Sequence, residues 1–282
     1  MSEINLPPLR DVIATHGLDA RKALGQHFLL DLNITRKIAR LAGVDAGEKV
    51  IEIGPGPGGL TRALLETGAD VIAIEKDARC LGVLSELSEA YPGKLEIVQD
   101  DALKVRERDL AKDGVKDGVK IISNLPYNIS TELLIKWLRL NQAQHDPYWS
   151  CMALMFQKEV ADRILAEPGS KTYGRLSVIA QAASRPRPGF DLPARAFTPP
   201  PKVDSSVVIF DPAKLNIALH QLESVTQAAF SQRRKMLRSS LKSVFGPKTE
   251  SILEQKNIAP TARAEEISVN GFIEIAQAVS GE

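Results

Sequence analysis

With 282 residues, 44 % of them hydrophobic, the chain has material for a sizeable core and length for two domains. Its 36 basic and 35 acidic side chains leave a net charge of +1, which neither supports nor excludes RNA and leaves any nucleic-acid surface to a local patch. Cys80 and Cys151 lie far apart with no ligand spacing, which argues against a disulfide framework or a metal site, and no apolar stretch has signal or transmembrane length, so a soluble, cytoplasmic protein is expected.

From about residue 33 to residue 185, apolar runs of strand length alternate with amphipathic helical stretches, the pattern of a parallel sheet covered by helices on both faces. The runs predict strands over 49–53, 71–74, 95–98, 120–123 and 151–156, and helices over 60–66, 78–90 and 131–140. A short repeat over 112–119, Lys-Asp-Gly-Val twice, reads as a polar surface loop. Proline-rich segments at 185–189 and 197–201 are expected to be ordered loops, because proline cannot donate to a sheet ladder. Residues 207–210 give a last strand, and beyond Asp211-Pro212 only helical periodicity remains. The expected division is therefore an α/β domain over 1–211 and a small all-helical domain over 212–282.

Chemistry concentrates at the strand ends. The first strand runs into Gly54-Pro55-Gly56-Pro57-Gly58-Gly59 and a helix, which brings backbone N–H groups and a positive helix end to the sheet edge where α/β folds bind ligands. Glu75, about twenty residues on, is placed to hold ribose hydroxyls. The glycine spacing alone fits a dinucleotide as well as S-adenosylmethionine. Glu52 ahead of the loop resembles the acidic-x-G-x-G-x-G pattern of methyltransferases, and Pro55 and Pro57 remove donors that a pyrophosphate would use, so S-adenosylmethionine is preferred over a nicotinamide cofactor. At the third strand end, Asp101 or its neighbour Asp100 could accept from an adenine amine, or simply cap a helix.

The fourth strand ends in Asn124-Leu125-Pro126-Tyr127. The amine of adenine or cytosine is a poor nucleophile because its lone pair is delocalised into the ring. A side-chain oxygen at Asn124 and a carbonyl of Leu125 or Pro126 could accept from that amine, and Tyr127 could stack on a flipped base.

In that order, these residues resemble the KsgA-type small-subunit rRNA adenine N6-dimethyltransferases. Arg21 to Leu29 is similar to the family's N-terminal cofactor-capping motif, and Gln157 to Arg163, Tyr173 to Ser177 and Phe197 to Ser205 are similar to its later segments. The resemblance implies a Rossmann-like methyltransferase fold with a helical tail. It implies contacts to S-adenosylmethionine from His27, Leu29, Gly54, Glu75, Asp101 and Asn124, with Asn124 and Tyr127 catalytic and Tyr127 and Phe197 sandwiching the target adenine. His27 departs from the pattern, since the family usually has Asn there, so its contact falls to imidazole or to the backbone. The implied substrate is two adjacent adenines in a hairpin near the 3′ end of 16S rRNA, in a small-subunit precursor, and the enzyme is expected to act as a monomer with a role in subunit biogenesis. An Erm-type enzyme acting on 23S rRNA and a non-catalytic assembly factor that keeps the fold are the alternatives. For RNA docking, Phe230, Leu237, Leu241 and Val244 are expected on one helical face with Lys235, Arg238 and Lys242 along its flank.

Overall fold

The computed structural model describes residues 6–20, 25–110, 118–143, 147–232 and 234–279. Residues 21–24 of the N-terminal motif and 112–117 of the short repeat lie outside the described residues. In chain order the elements are α1 (Leu9–Thr15), β1 (Phe28–Leu29), α2 (Leu32–Leu41), β2 (Lys49–Ile53), α3 (Gly59–Glu66), β3 (Asp70–Glu75), α4 (Leu81–Ala90), β4 (Leu95–Gln99), α5 (Glu107–Leu110), β5 (Val119–Asn124), α6 (Ser130–Gln142), β6 (Trp149–Gln157), α7 (Lys158–Ile164) and α8 (Arg175–Ala183). There follow β7 (Ser184–Leu192), β8 (Phe197–Thr198), β9 (Ser205–Pro212), α9 (Leu219–Phe230), α10 (Leu237–Ser240), α11 (Lys242–Phe245), α12 (Thr249–Gln255) and α13 (Val269–Ala276).

Seven strands form one sheet in the order β4-β3-β2-β5-β6-β9-β7. Strands β2 to β6 pair in parallel, and β9 runs antiparallel to β6. The Val- and Ile-rich runs of β2, β3 and β5 are buried on both faces, as a parallel sheet under two helix layers requires. From β2 the chain winds outward through β3 and β4, then returns to β5 on the other side of β2. The C-terminal ends of β2 and β5 thus frame a topological switch point, the usual ligand crevice of such sheets.

Two segments expected as loops are strands. β7 takes in Pro186 and Pro188, and it is tolerated because β7 is the outermost strand: prolines two residues apart withhold donors from the same edge. Phe197-Thr198 is β8, which pairs antiparallel with β1 in a separate two-stranded ribbon, Phe28 opposite Thr198 and Leu29 opposite Phe197.

The chain divides into two compact units, one from residues 1–134, 147–158 and 188–210, the other from 135–146, 159–187 and 211–282. The last crossing falls between Phe210 and Asp211, and the second unit also holds α7 and α8. The cause is apolar: α8 packs on α9 and α13. In the same unit Tyr173 is fully buried, donates its hydroxyl to the Ile267 carbonyl at 2.9 Å, and meets Phe230 edge-on. The Tyr173–Ser177 segment is a helix start: Ser177 Oγ accepts from the Gly174 N–H and donates to the Arg163 carbonyl.

Two packing details of the first unit have measurable consequences. A Cβ on Gly59 would sit 2.4 Å from the Leu29 carbonyl oxygen and 3.4 Å from Leu9, so α3 can lie against β1 only with glycine there. Gly59→Ala should destabilise the protein by about 1–3 kcal/mol, the usual cost of overpacking, read as a lower denaturant midpoint with unchanged slope. Glu52 on β2 is 2 % exposed, and burial pushes its carboxyl from an ordinary 4.5 to about 8, with the Glu75 charge adding to the rise. A carboxyl raised in the folded state contributes stability in full below the unfolded value and loses it as pH climbs through the folded one. Glu52→Gln should therefore flatten the fall in melting temperature between about pH 4.5 and 8 and leave the variant relatively more stable at pH 8.

Candidate active site

The loop after β2 turns at Gly54 and Gly56, whose φ values of +63° and +55° suit glycine, and the chain then enters α3. Its shape is held from β3: Glu75 Oε2 accepts from the Gly56 N–H at 3.0 Å, and Oε1 accepts from the Asp77 N–H at 2.7 Å. Glu75 is 4 % exposed. Burial raises its carboxyl above the ordinary value, and the Asp77 and Gly56 backbone donors pull it partway back. Each carboxylate oxygen retains a lone pair for a ligand hydroxyl.

Glu52 lies beneath the same loop, and its Oε2 is buried with no protein partner. Burial there favours the neutral carboxyl over the carboxylate. At the end of β4, Asp101 Oδ2 accepts from Lys76 Nζ at 2.9 Å and Oδ1 from the Leu103 N–H at 3.0 Å. Lys76 holds this carboxyl below its usual range. Asp100, more exposed, accepts from the Asp101 N–H.

The segment after β5 is fixed by three hydrogen bonds. Asn124 at the end of β5 places its amide 3.0 Å from the His27 carbonyl oxygen. A carbonyl only accepts, so the amide nitrogen faces it and Oδ1 remains as an acceptor. Tyr127 shares a 2.6 Å hydrogen bond between its hydroxyl and Oγ of the fully buried Ser205 on β9, and its ring stacks on His27 with centroids 5.6 Å apart and planes 26° apart. The other side of His27 is committed too: Nδ1 donates to the Pro199 carbonyl at 2.8 Å. The imidazole of His27 is thus part of the scaffold around Tyr127.

One cavity is lined by His27, Leu29, Glu52, Gly54, Glu75, Asp100, Asp101, Asn124, Pro126 and Tyr127. It gathers all the expected cofactor-contacting positions and Tyr127. Phe197, expected opposite Tyr127, is not on this wall: it is 3 % exposed, part of the apolar cluster that holds Leu29, because its β8 pairing turns it into the core. The basic helix flank also differs from expectation. α9 ends at Phe230, the chain turns, and Leu237 and Leu241 belong to separate short segments, so no single helix carries the four apolar residues. The N–H of Leu237 bonds the Ala262 carbonyl and Met236 bridges Arg263, which pulls the chain off the α9 axis. Lys235, Arg238 and Lys242 are exposed, and Arg238 lies 3.9 Å from Glu250.

Sequence reasoning passed over Asp77 and Ser205. Asp77 accepts from Gln26 and Arg79, and the Arg79 guanidinium foremost, with Gln26, holds its carboxyl down at about 2. The strand-end position after Glu75 was the available signal for Asp77. Ser205 offered none, because its partner lies 78 residues away.

A family model described as ribosomal RNA adenine dimethylase matches residues 17–280. Ribosomal RNA small subunit methyltransferase A of Mesorhizobium japonicum is 55 % identical to this chain, the alignment covering 99 % of it and 100 % of the relative. The crystal structure of a dimethyladenosine transferase from Plasmodium falciparum aligns with a TM-score of 0.74 at 27 % identity, over 88 % of this chain and 96 % of that one. The 23S rRNA methyltransferase ErmE aligns with a TM-score of 0.66 at 23 % identity, over 89 % of this chain and 99 % of its own, a likeness of fold alone. Matched over nearly its whole length, the chain belongs to the ribosomal RNA adenine dimethylase family.

Proposed function

We propose that this protein is an rRNA adenine N6,N6-dimethyltransferase that uses S-adenosylmethionine to methylate two adjacent adenines in a hairpin near the 3′ end of 16S rRNA, on a small-subunit precursor. It acts in the cytoplasm, as a monomer, with a role in small-subunit biogenesis. The observation that carries the reading is the orientation of Asn124: its nitrogen is held on the His27 carbonyl, and its oxygen remains to accept from an amine at the cavity that also holds Tyr127. The 55 % identity to a small subunit methyltransferase A over the full chain favours the small subunit over the large.

The donor set fits the cofactor. Glu75 has lone pairs for ribose hydroxyls, Asp101 an acceptor for the adenine amine, and the glycine loop lines the same cavity. Bound there, S-adenosylmethionine supplies an electrophilic methyl group on a sulfonium centre. The chain's own residues prepare the acceptor. Tyr127, held by Ser205 and His27, offers a ring on which the target adenine stacks. Asn124 Oδ1, with a carbonyl of Leu125 or Pro126, accepts from the amine hydrogens, so that the nitrogen lone pair localises as the amine pyramidalises. No side chain is required as a general base, and most of the acceleration is positional.

The test is incubation with labelled S-adenosylmethionine and, separately, undermethylated small and large subunits. Label is expected in small-subunit RNA, and label only in large-subunit RNA would overturn the assignment. Asn124→Ala and Tyr127→Ala should each lower methylation by roughly 100-fold or more while cofactor binding by calorimetry stays measurable. Glu75→Ala should do the reverse, weakening cofactor binding first, because it removes the ribose acceptor and frees the Gly56 N–H from its restraint.

A further inference from the structure

Beside the β1–β8 ribbon lies a second concavity of about 670 Å³, within the range of small-ligand sites. Its apolar floor includes the half-buried Leu30, Leu32 and Ile34, and Arg10 and Arg195 stand exposed on its wall. Arg10 belongs to α1 and Arg195 to the segment leading into β8, so the two guanidinium groups come from opposite ends of the first unit's sequence. Among the described residues neither takes part in an ion pair. Among the described residues the carboxylate on the wall is Asp31, which is used locally, accepting from the Asn33 N–H at 2.9 Å to cap α2. Leu30 follows directly on Leu29, and Thr198 of β8 also lines the concavity, whereas Phe28 and Leu29 of β1 line the active-site cavity. The two depressions share one ribbon.

We infer that this groove binds single-stranded RNA next to the target adenine, Arg10 and Arg195 taking a phosphodiester and the Leu30–Ile34 floor taking an adjoining base. The inference rests on the RNA methyltransferase reading of the neighbouring cavity. Two unpaired guanidinium groups complement a phosphate with planar donor forks, and an apolar floor suits the face of an unstacked base. Because Thr198 of the ribbon lines this groove while Phe28 and Leu29 of the same ribbon line the active-site cavity, a nucleotide held here neighbours the target adenine on the same strand.

The test measures direct binding of a short single-stranded RNA bearing two adjacent adenines, across a range of salt, to the wild type, to Arg10→Ala/Arg195→Ala and to Arg10→Lys/Arg195→Lys. The alanine variant should bind about tenfold more weakly, with a salt slope shallower by roughly 0.7 for each phosphate that is no longer neutralised. The lysine variant should recover the slope but not all of the affinity. In methylation of undermethylated small subunits, the alanine variant should raise KM for RNA with kcat and S-adenosylmethionine affinity unchanged. Equal RNA affinity and slope in wild type and alanine variant would overturn the inference, as would weakened binding of an acidic peptide with RNA binding untouched. Binding is read without turnover, so a wild type that methylates no RNA would sink the catalytic reading and leave this measurement decisive.

Discussion

Glu75 accepts from the Gly56 N–H across the gap between two parallel strands, and the order of the whole cavity depends on that contact. Inside a buried site an ionised carboxylate is expensive, and here two backbone donors, one from the glycine loop and one from Asp77, offset only part of that cost. The loop gains a fixed shape from outside itself, which it needs because Pro55 and Pro57 deprive it of donors of its own. Asp77 in turn secures Gln26, so the same strand end also anchors the chain segment that leads to His27 and β1.

From there the restraint passes to the proposed reacting end. The His27 carbonyl orients the Asn124 amide, the His27 ring supports Tyr127, and Tyr127 is tied to Ser205 on β9. Five stretches of sequence, at 26–27, 54–56, 75–77, 124–127 and 199–205, are therefore linked by one chain of contacts. Such preorganisation is what a reaction dominated by positioning requires. It also gives a physical reason why imidazole serves at position 27: the ring is aromatic, flat and able to donate at Nδ1, so it can stack on Tyr127 and bond the Pro199 carbonyl at once.

The parallel core was legible in the sequence because hydrophobic period and strand length are local properties. The runs at 49–53, 71–74 and 95–98 could be little else, and β2, β3 and β4 lie on them to within a residue or so. The strand-end residues could be read because position in a parallel sheet assigns them to one edge. What escaped depends on partners far along the chain. Pro186 and Pro188 look like loop residues until β7 is known to be the outermost strand, and Phe197 looks like an exposed stacking ring until β8 is seen to pair with β1. The basic run after Phe230 has helical periodicity, but the bond from Leu237 to the Ala262 carbonyl breaks it. The grouping of α7 and α8 with the C-terminal helices likewise depends on tertiary packing, which periodicity does not report.

The β1–β8 ribbon joins residues 28–29 to residues 197–198, a separation that encloses all of the parallel strands β2 to β6. A pairing of that span closes late, because the entropy of the intervening loop must be offset by other contacts before the ends can meet. On a growing chain, the glycine loop, Glu75 and Asn124 are made and can pair well before β8 exists. The cavity wall at Leu29 acquires its strand partner only when about two thirds of the protein has emerged. The pocket is thus a product of the finished first unit, and a truncated chain carrying every glycine of the loop would still lack one of its walls.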